Sequence, residues 1–296
     1  MSHLSKSRSL VSVPDLARFK AQGRPIVMTT AYDAPTARIA DAAGVDSILV
    51  GDSLGNVCLG FENTLPVTLD MMLHHLQAVV RAHPRALLLA DMPYLSYHIG
   101  VEDTLRNGGA FLRAGAQGVK LEGGSGRIPM VRALVGAEIP VMCHLGLTPQ
   151  SIHAMGGYKV QAKDGQAALA LLEDALRLQD AGCFAILLEG IPAELATKVT
   201  GALEIPTIGI GAGPGCSGQV LVFHDLLGIL PGDPPKFVRQ YLEGYNLMVE
   251  AMSNWANDIR EGDFPGPAES YMLPEATRKL LNAWAPPENQ APKPRT

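Results

Sequence analysis

Four stretches of this 296-residue chain end alike. DSILVGDSLG, ALLLADMP, GVKLEGG and AILLEG each run through apolar residues into a carboxylate, at Asp52, Asp91, Glu122 and Glu189. A fifth run, IPVMCHLGL, carries His144, and Lys120 stands two residues before Glu122. Residues two apart in a strand share a side, so Lys120 and Glu122 face the same way. Buried carboxylates gathered in one place repel one another and are costly to desolvate. They become tolerable when a divalent cation and a lysine sit among them. Oxygen-only ligands and few cysteines suit Mg2+ better than zinc. A Mg2+ held by two or three carboxylates keeps open positions. An α-keto acid can fill two of these with a carboxylate oxygen and its keto oxygen. The cation then acts as a Lewis acid that stabilises an enolate.

Plainer readings exist for each residue alone. An Asp after a strand commonly caps the next helix, Lys120 and Glu122 can form a structural ion pair, and a lone His144 is more often a core histidine. Four acids in equivalent places favour the site. His74, His75, His98 and His153 lack such company and are read as structural or surface residues. His224 is read similarly, although its run is assigned to an eighth strand, from which it could hydrogen-bond into a barrel mouth. GIGAGPGCSG contains GxGxxG at 213–218. A dinucleotide site would need a helix next, but QVLVF reads as strand, and no acid closes a following strand at the right distance. A glycine turn that lets backbone approach a ligand is the better reading.

The elements that would position these residues are short β-rich runs at 25–33, 47–53, 86–93, 118–124, 139–147, 184–190, 205–213 and 219–228. Each is almost continuously apolar, which means cover on both faces, as in a parallel sheet. Helical patterns lie between most of them, and those ahead of Gly44, Gly115 and Gly182 stop at glycine. Strands alternating with helices predict a (β/α)8 barrel of the TIM type, whose active sites sit at the C-terminal ends of the strands. One connection resists: about five residues separate Gly213 from Gln219, fewer than the ~10–12 of a βαβ crossover. Either the seventh helix is a single turn or the last strand is misplaced. Residues 235–262 then read as one or two amphipathic helices. Residues 1–270 are expected to form one barrel domain with an N-terminal lead-in and C-terminal helices, and 271–296 a partly disordered extension.

Composition narrows the function classes. With 47% hydrophobic and 18% charged residues the chain suits a globular core. The net charge of -5 and the lack of a basic stripe argue against nucleic acid. No apolar run approaches the ~18 residues of a membrane span. The basic, Ser-rich N-terminus lacks a signal-peptide core, and an organelle transit peptide is the weaker alternative to a cytoplasmic location. Cys58, Cys143, Cys183 and Cys216 form no CxxC pair and are read as free thiols.

Over roughly residues 14–270 the chain resembles the ketopantoate hydroxymethyltransferase family. The resemblance rests on TAYDAPTARIAD, VGDSLGNVCLG with TLPVT, LLLADMPY, VKLEGG, HLGLTPQS, GGYKVQ, LLEGIP and IPTIGIGAG, in that order. It implies a barrel of the phosphoenolpyruvate/pyruvate superfamily kind. It also implies transfer of a one-carbon unit from 5,10-methylenetetrahydrofolate to 3-methyl-2-oxobutanoate, giving 2-dehydropantoate for pantothenate biosynthesis. By the same resemblance Asp52, Asp91 and Glu122 belong to a Mg2+ site. Asp52, Ser53, Asp91 and Lys120 contact the keto acid, and Glu189 is the proton acceptor. His144 becomes a network or proton-shuttle residue. A large homo-oligomer, a decamer in many relatives, is implied too. The loops GNVCLGFENTLP and HLGLTPQSIHAMGGYKVQ are candidates for folate contact on length and glycine content. The rival readings are a Mg2+-dependent lyase or decarboxylase acting on another 2-oxo acid, and a non-catalytic oxo-acid-binding oligomer.

Overall fold

Alternation of apolar side chains between two faces organises the barrel. In the computed structural model, which describes residues 9–285, the strands are β1 (Ile26–Thr30), β2 (Ser47–Val50), β3 (Leu87–Asp91), β4 (Gly118–Glu122), β5 (Val141–Gly146), β6 (Ala185–Glu189), β7 (Thr207–Ile210) and β8 (Gly218–Leu221). They close into one barrel in sequence order, all parallel, with β8 returning to β1. Ile48, Val50, Leu88, Ala90, Val119, Leu121, Cys143 and Ile186 belong to the outer core, beneath the helices. Leu49, Leu87, Leu89, Met142, Ala185, Leu187 and Ile208 fill the interior. Counting in twos along the inward set leads from Leu89 to Asp91, from Met142 to His144 and from Leu187 to Glu189. The same parity sends Lys120 and Glu122 inward, between the outward Val119 and Leu121.

The helices that clothe this barrel are α1 (Val13–Ala21), α2 (Ala34–Ala43), α3 (Leu54–Val57), α4 (Leu69–Val80), α5 (Val101–Arg113), α6 (Ile128–Gly136), α7 (Ile152–Met155), α8 (Gly165–Asp180), α9 (Ala193–Ala202) and α10 (Phe223–Leu226). Their ends are written in the sequence. Asp33, Thr68 and Asp164 each accept a hydrogen bond from a backbone N–H in the first turn, of α2, α4 and α8 respectively. Gly44 closes α2 in the left-handed conformation at φ 86°.

Two expectations about the eighth strand are corrected. The run 219–228 is strand only to Leu221, and His224 lies in α10 rather than in β8. The chain leaves the sheet because Phe223 N–H donates to Thr30 Oγ1 at 2.9 Å instead of to a neighbouring strand, and Leu226 N–H then turns back to Val222 O. The link from β7 to β8 contains no helix at all among the described residues. A small residue is required where β8 enters the sheet: a Cβ at Gly218 would stand 2.4 Å from Ile26 O and 2.9 Å from Ile208 Cδ1.

The chain divides after Glu243, ahead of the expected boundary at 270. The second unit carries α11 (Gly244–Glu261) and α12 (Glu275–Asn282). Thus residues 235–243 of the expected helical stretch are not helical. The disorder expected at the end of the extension falls on 286–296, outside the described residues. No described helix is long and apolar enough to cross a membrane, and the four cysteines are free.

Candidate active site

The C-terminal ends of β2 to β6 deliver their polar residues to one mouth. Asp91 is the hub. Its Oδ1 accepts from Lys120 Nζ at 2.6 Å, and its Oδ2 accepts from Asp52 N–H at 3.0 Å. Lys120 Nζ also lies 3.9 Å from Glu122 Oε1. All four residues are buried. Burial alone would discharge Lys120, but Asp91, Glu122 and Asp52 overcome it and hold the ammonium well above its ordinary range. Asp52 behaves oppositely. Its own burial, then the charges of Asp91 and Glu122, push its carboxyl well above the usual carboxylate range.

His144 spans two acids. Nδ1 lies 3.3 Å from Glu122 Oε1, and Nε2 lies 3.3 Å from Glu189 Oε2. These are ion-pair separations, and neither ring nitrogen is aligned for a hydrogen bond. Burial lowers the imidazole's proton affinity, but Glu122 and Glu189 more than reverse this and lift its pKa to about 9. Glu122 is pulled the other way: burial raises its pKa, and His144, Lys120 and Gln150 N–H outweigh that to leave it lowered. Glu189 is the more accessible acid, with its side chain 17% exposed against 3% for Glu122.

Ser53 opens the turn into α3 beside Asp52, and its Oγ pairs with the buried Tyr32 hydroxyl at 2.8 Å. Thus the structure brings together every residue singled out in the mouth: Asp52, Ser53, Asp91, Lys120, Glu122, His144 and Glu189 all line one cavity of about 970 Å3. His74, His75, His98, His153 and His224 do not line it. His75 Nδ1 pairs with Tyr32 O at 2.7 Å, and His224 packs its ring 5.4 Å from that of Tyr32.

Several residues at the site carried no advance signal. Gln150, just after β5, donates to Asp52 Oδ2 through Nε2 at 2.8 Å and to Glu122 Oε2 through its backbone N–H at 3.0 Å. Tyr97 stands behind it at 2.6 Å. The cavity lining includes Asp225, from the run read as the eighth strand, and Lys236 and Phe237, from the stretch read as amphipathic helix. From the two candidate loops, Asn56, Val57, Glu62 and Thr64 line the cavity, as do Leu147, Pro149, Tyr158, Lys159 and Val160.

Whether the donors fit a cation can be read from the same atoms. Among the described residues no three His, Cys, Asp or Glu side chains are grouped as a formed metal site. Asp52 Oδ2 is taken by Gln150, and both oxygens of Asp91 are engaged. Yet Glu122 Oε1 is buried without a hydrogen-bond partner among the described residues. Burial and the charges of Asp91 and Glu122 work against the ionised form of Asp52, which a cation would favour. A buried carboxylate oxygen without a hydrogen bond, in a crowd of carboxylates, fits a hard divalent cation.

Barrel and mouth together define a class: a (β/α)8 protein with an acidic, lysine-bearing mouth. Solved structures of this architecture include 2,3-dimethylmalate lyase, a PEP mutase/isocitrate lyase superfamily member (TM-score 0.57, 19% identity, 93% of this chain and 95% of that one). Another is phosphonopyruvate hydrolase in complex with oxalate and Mg2+ (TM-score 0.58, 13% identity, 92% and 96% covered). At such identities the likeness is one of fold. Sequence comparison goes further. The ketopantoate hydroxymethyltransferase family profile matches residues 10–267. The 3-methyl-2-oxobutanoate hydroxymethyltransferase 2 of Bradyrhizobium diazoefficiens is 62% identical over 287 residues, covering 97% of this chain and 98% of that one. The 3-methyl-2-oxobutanoate hydroxymethyltransferase of Methylobacterium sp. (strain 4-46) is 62% identical over 271 residues, covering 92% and 94%. The chain belongs to the ketopantoate hydroxymethyltransferase family.

Proposed function

We propose that this protein carries out the reaction for which its relatives are named, hydroxymethyl transfer to 3-methyl-2-oxobutanoate, which forms 2-dehydropantoate for pantothenate biosynthesis. The one-carbon donor is 5,10-methylenetetrahydrofolate, and water supplies the hydroxyl. Asp52, Asp91 and Glu122 would hold Mg2+, which when bound supplies Lewis-acid polarisation of the keto group. The phosphonopyruvate hydrolase structure, a complex with oxalate and Mg2+, supports a divalent cation on this scaffold.

The chain's own residues divide the remaining work. Ser53, steadied by Tyr32, holds the substrate carboxylate. Lys120, kept charged by its acids, offsets negative charge that develops on the keto oxygen. Water releases the one-carbon unit from both folate nitrogens at the oxidation level of formaldehyde. Glu189 takes the proton from C3, and the electron pair released there forms the bond to that carbon while its carbonyl pair moves to oxygen, which takes up a proton as the new hydroxyl. His144, 3.3 Å from both Glu189 and Glu122, holds a proton between them and keeps the base oriented.

Pockets for drug-sized ligands run to about 300–1,000 Å3, so a five-carbon acid occupies little of this cavity of about 970 Å3. The folate is assigned to the outer part, between the two loops and the segment bearing Lys236 and Phe237. Cytoplasmic location and a homo-oligomer, a decamer by the family resemblance, complete the reading. Association would cover the exposed Met252, Trp255 and Ile259 of α11.

The observation that carries the reading is Glu189, the more open acid of a mouth otherwise locked by Lys120. Proton NMR of 3-methyl-2-oxobutanoate in D2O, with protein and Mg2+, should show loss of the C3 signal, abolished by EDTA. Glu189→Gln should still bind the acid but lose exchange. Exchange at the wild-type rate in that variant would refute the base assignment. Exchange without product on addition of methylenetetrahydrofolate would favour a different oxo-acid enzyme.

A further inference from the structure

We propose that Gln150, braced by Tyr97, is the positioning residue that selects which oxygens of Asp52 and Glu122 face the cavity; this rests on the proposed function. Glu122, Tyr97 and Gln150 form a closed ring of hydrogen bonds, and Asp52 is bonded to it as a branch. Glu122 N–H donates to Tyr97 Oη at 3.1 Å, and Tyr97 O–H donates to Gln150 Oε1 at 2.6 Å. Gln150 Nε2 donates to Asp52 Oδ2 at 2.8 Å and to Met92 O at 3.0 Å. Gln150 N–H then returns to Glu122 Oε2 at 3.0 Å.

The direction of every bond in this ring is forced. A backbone N–H can only donate, so Tyr97 must accept from Glu122 and send its own proton to Gln150. A backbone carbonyl can only accept, so the amide nitrogen must face Met92 and, beside it, Asp52. The ring therefore occupies Oδ2 of Asp52 and Oε2 of Glu122. It leaves Oε1 of Glu122 without a hydrogen bond, 3.3 Å from His144 Nδ1, and Oδ1 of Asp52 outside the ring. An amide suits the place because it donates and accepts without adding charge. A glutamate would be a further acid beside Asp52 and Glu122, and a lysine could not accept from Tyr97.

The brace is itself rigid. Tyr97 is wholly buried and Gln150 is 5% exposed. Arg127 lies over the Tyr97 ring at 5.6 Å, and His98 packs 4.2 Å from it, both ring centroid distances. The ring also ties together the ends of β2, β3 and β4 and the turn after β5. Rotation of one carboxylate is thereby coupled to the place of the other.

The test uses the full-length chain and Mn2+ as the probe, with free ion followed by electron paramagnetic resonance. Loss of such an outer partner costs metal sites about 10–100-fold in affinity, so Gln150→Leu should raise the Mn2+ Kd by about that factor. Tyr97→Phe, which removes both the donor to Gln150 and the acceptor of Glu122 N–H, should raise it on the order of 5-fold. The double variant should add little to Gln150→Leu, because the side-chain bond to Asp52 that Tyr97 braces is already gone. Thermal midpoints are measured alongside. Lower midpoints with wild-type Kd values would overturn the inference and leave Gln150 a packing residue. Should Gln150→Leu not fold, an unchanged Kd in Tyr97→Phe overturns it alone. Failure of the wild-type protein to bind Mn2+ or exchange the C3 proton would instead overturn the functional reading, and this inference with it.

Discussion

Removal of the Lys120 charge, as Lys120→Met, measures how much of the mouth is held together by one ammonium. Its Nζ stands 2.6 Å from Asp91 Oδ1 and 3.9 Å from Glu122 Oε1. At an effective dielectric near 20 those attractions are about 6 and 4 kcal/mol. Part is returned, because the ammonium no longer has to leave water. The net cost of stripping one partner from a buried pair is about 3–5 kcal/mol. At about 2–4 °C per kcal/mol for a domain of this size, the melting midpoint should fall by about 6–20 °C. The loss should depend on pH. Asp52 already has a carboxyl raised well above the usual range, by burial and then by Asp91 and Glu122. An acid with a raised folded pKa gains stability as pH falls through that value. Lowering the pH should therefore relieve part of the repulsion, and the deficit should shrink between pH 8 and pH 5.5. Differential scanning calorimetry in EDTA reads both numbers. A fall of less than about 2 °C, or one equal at the two pH values, would show that the acids are not repelling as argued.

Two further perturbations follow from single contacts. His144 has its pKa raised from 6.5 to about 9, since Glu122 and Glu189 outweigh its burial. Its stabilisation is therefore complete below the unfolded value and lost as pH rises through about 9. In metal-free urea titrations the wild type should exceed His144→Gln most at pH 6, and about 3 kcal/mol of that excess should vanish by pH 10; a constant difference would mean the ring is not charged. Gly146 has φ +97°, and a Cβ there would lie 2.2 Å from Glu189 O and 2.7 Å from Ile191 Cγ2. Gly146→Ala should cost about 3 kcal/mol or more in urea unfolding and impair C3 exchange by displacing the proposed base; an unshifted unfolding midpoint would mean that the turn relaxes.

What could be read in advance had a periodic or terminal signal. The acids of β3, β4 and β6 were legible because a two-residue count along an apolar strand fixes the face of every residue once one is buried. Asp33 and Gly44 mark the ends of α2 for similar local reasons. The eighth strand was overextended because LVFHDLLG is as apolar as a strand, and only the bond from Phe223 to Thr30 shows where the chain departs. Gln150 was invisible for a different reason. An amide in a turn has no spacing, and its meaning comes from Tyr97, Asp52 and Glu122, which lie 53, 98 and 28 residues away. Lys236 and Phe237 reach the cavity from 235–243, part of a stretch read as amphipathic helix but not helical there.

The seam between β8 and β1 also sets a schedule. Thr29 Oγ1 bonds Leu221 O across 192 residues of chain, Phe223 N–H reaches Thr30 across 193, and Lys20 Nζ seals against Thr200, Leu203 and Ile205 at the end of α9. No ribosome can supply these partners together. At about 5–20 residues per second, β1 waits on the order of 10–40 s for β8. During that interval its β8-facing edge is unpaired, a template for another nascent chain. Slower translation between these segments lengthens the exposure, so yield of closed barrel in a given host is governed by elongation rate and chaperone access to that edge.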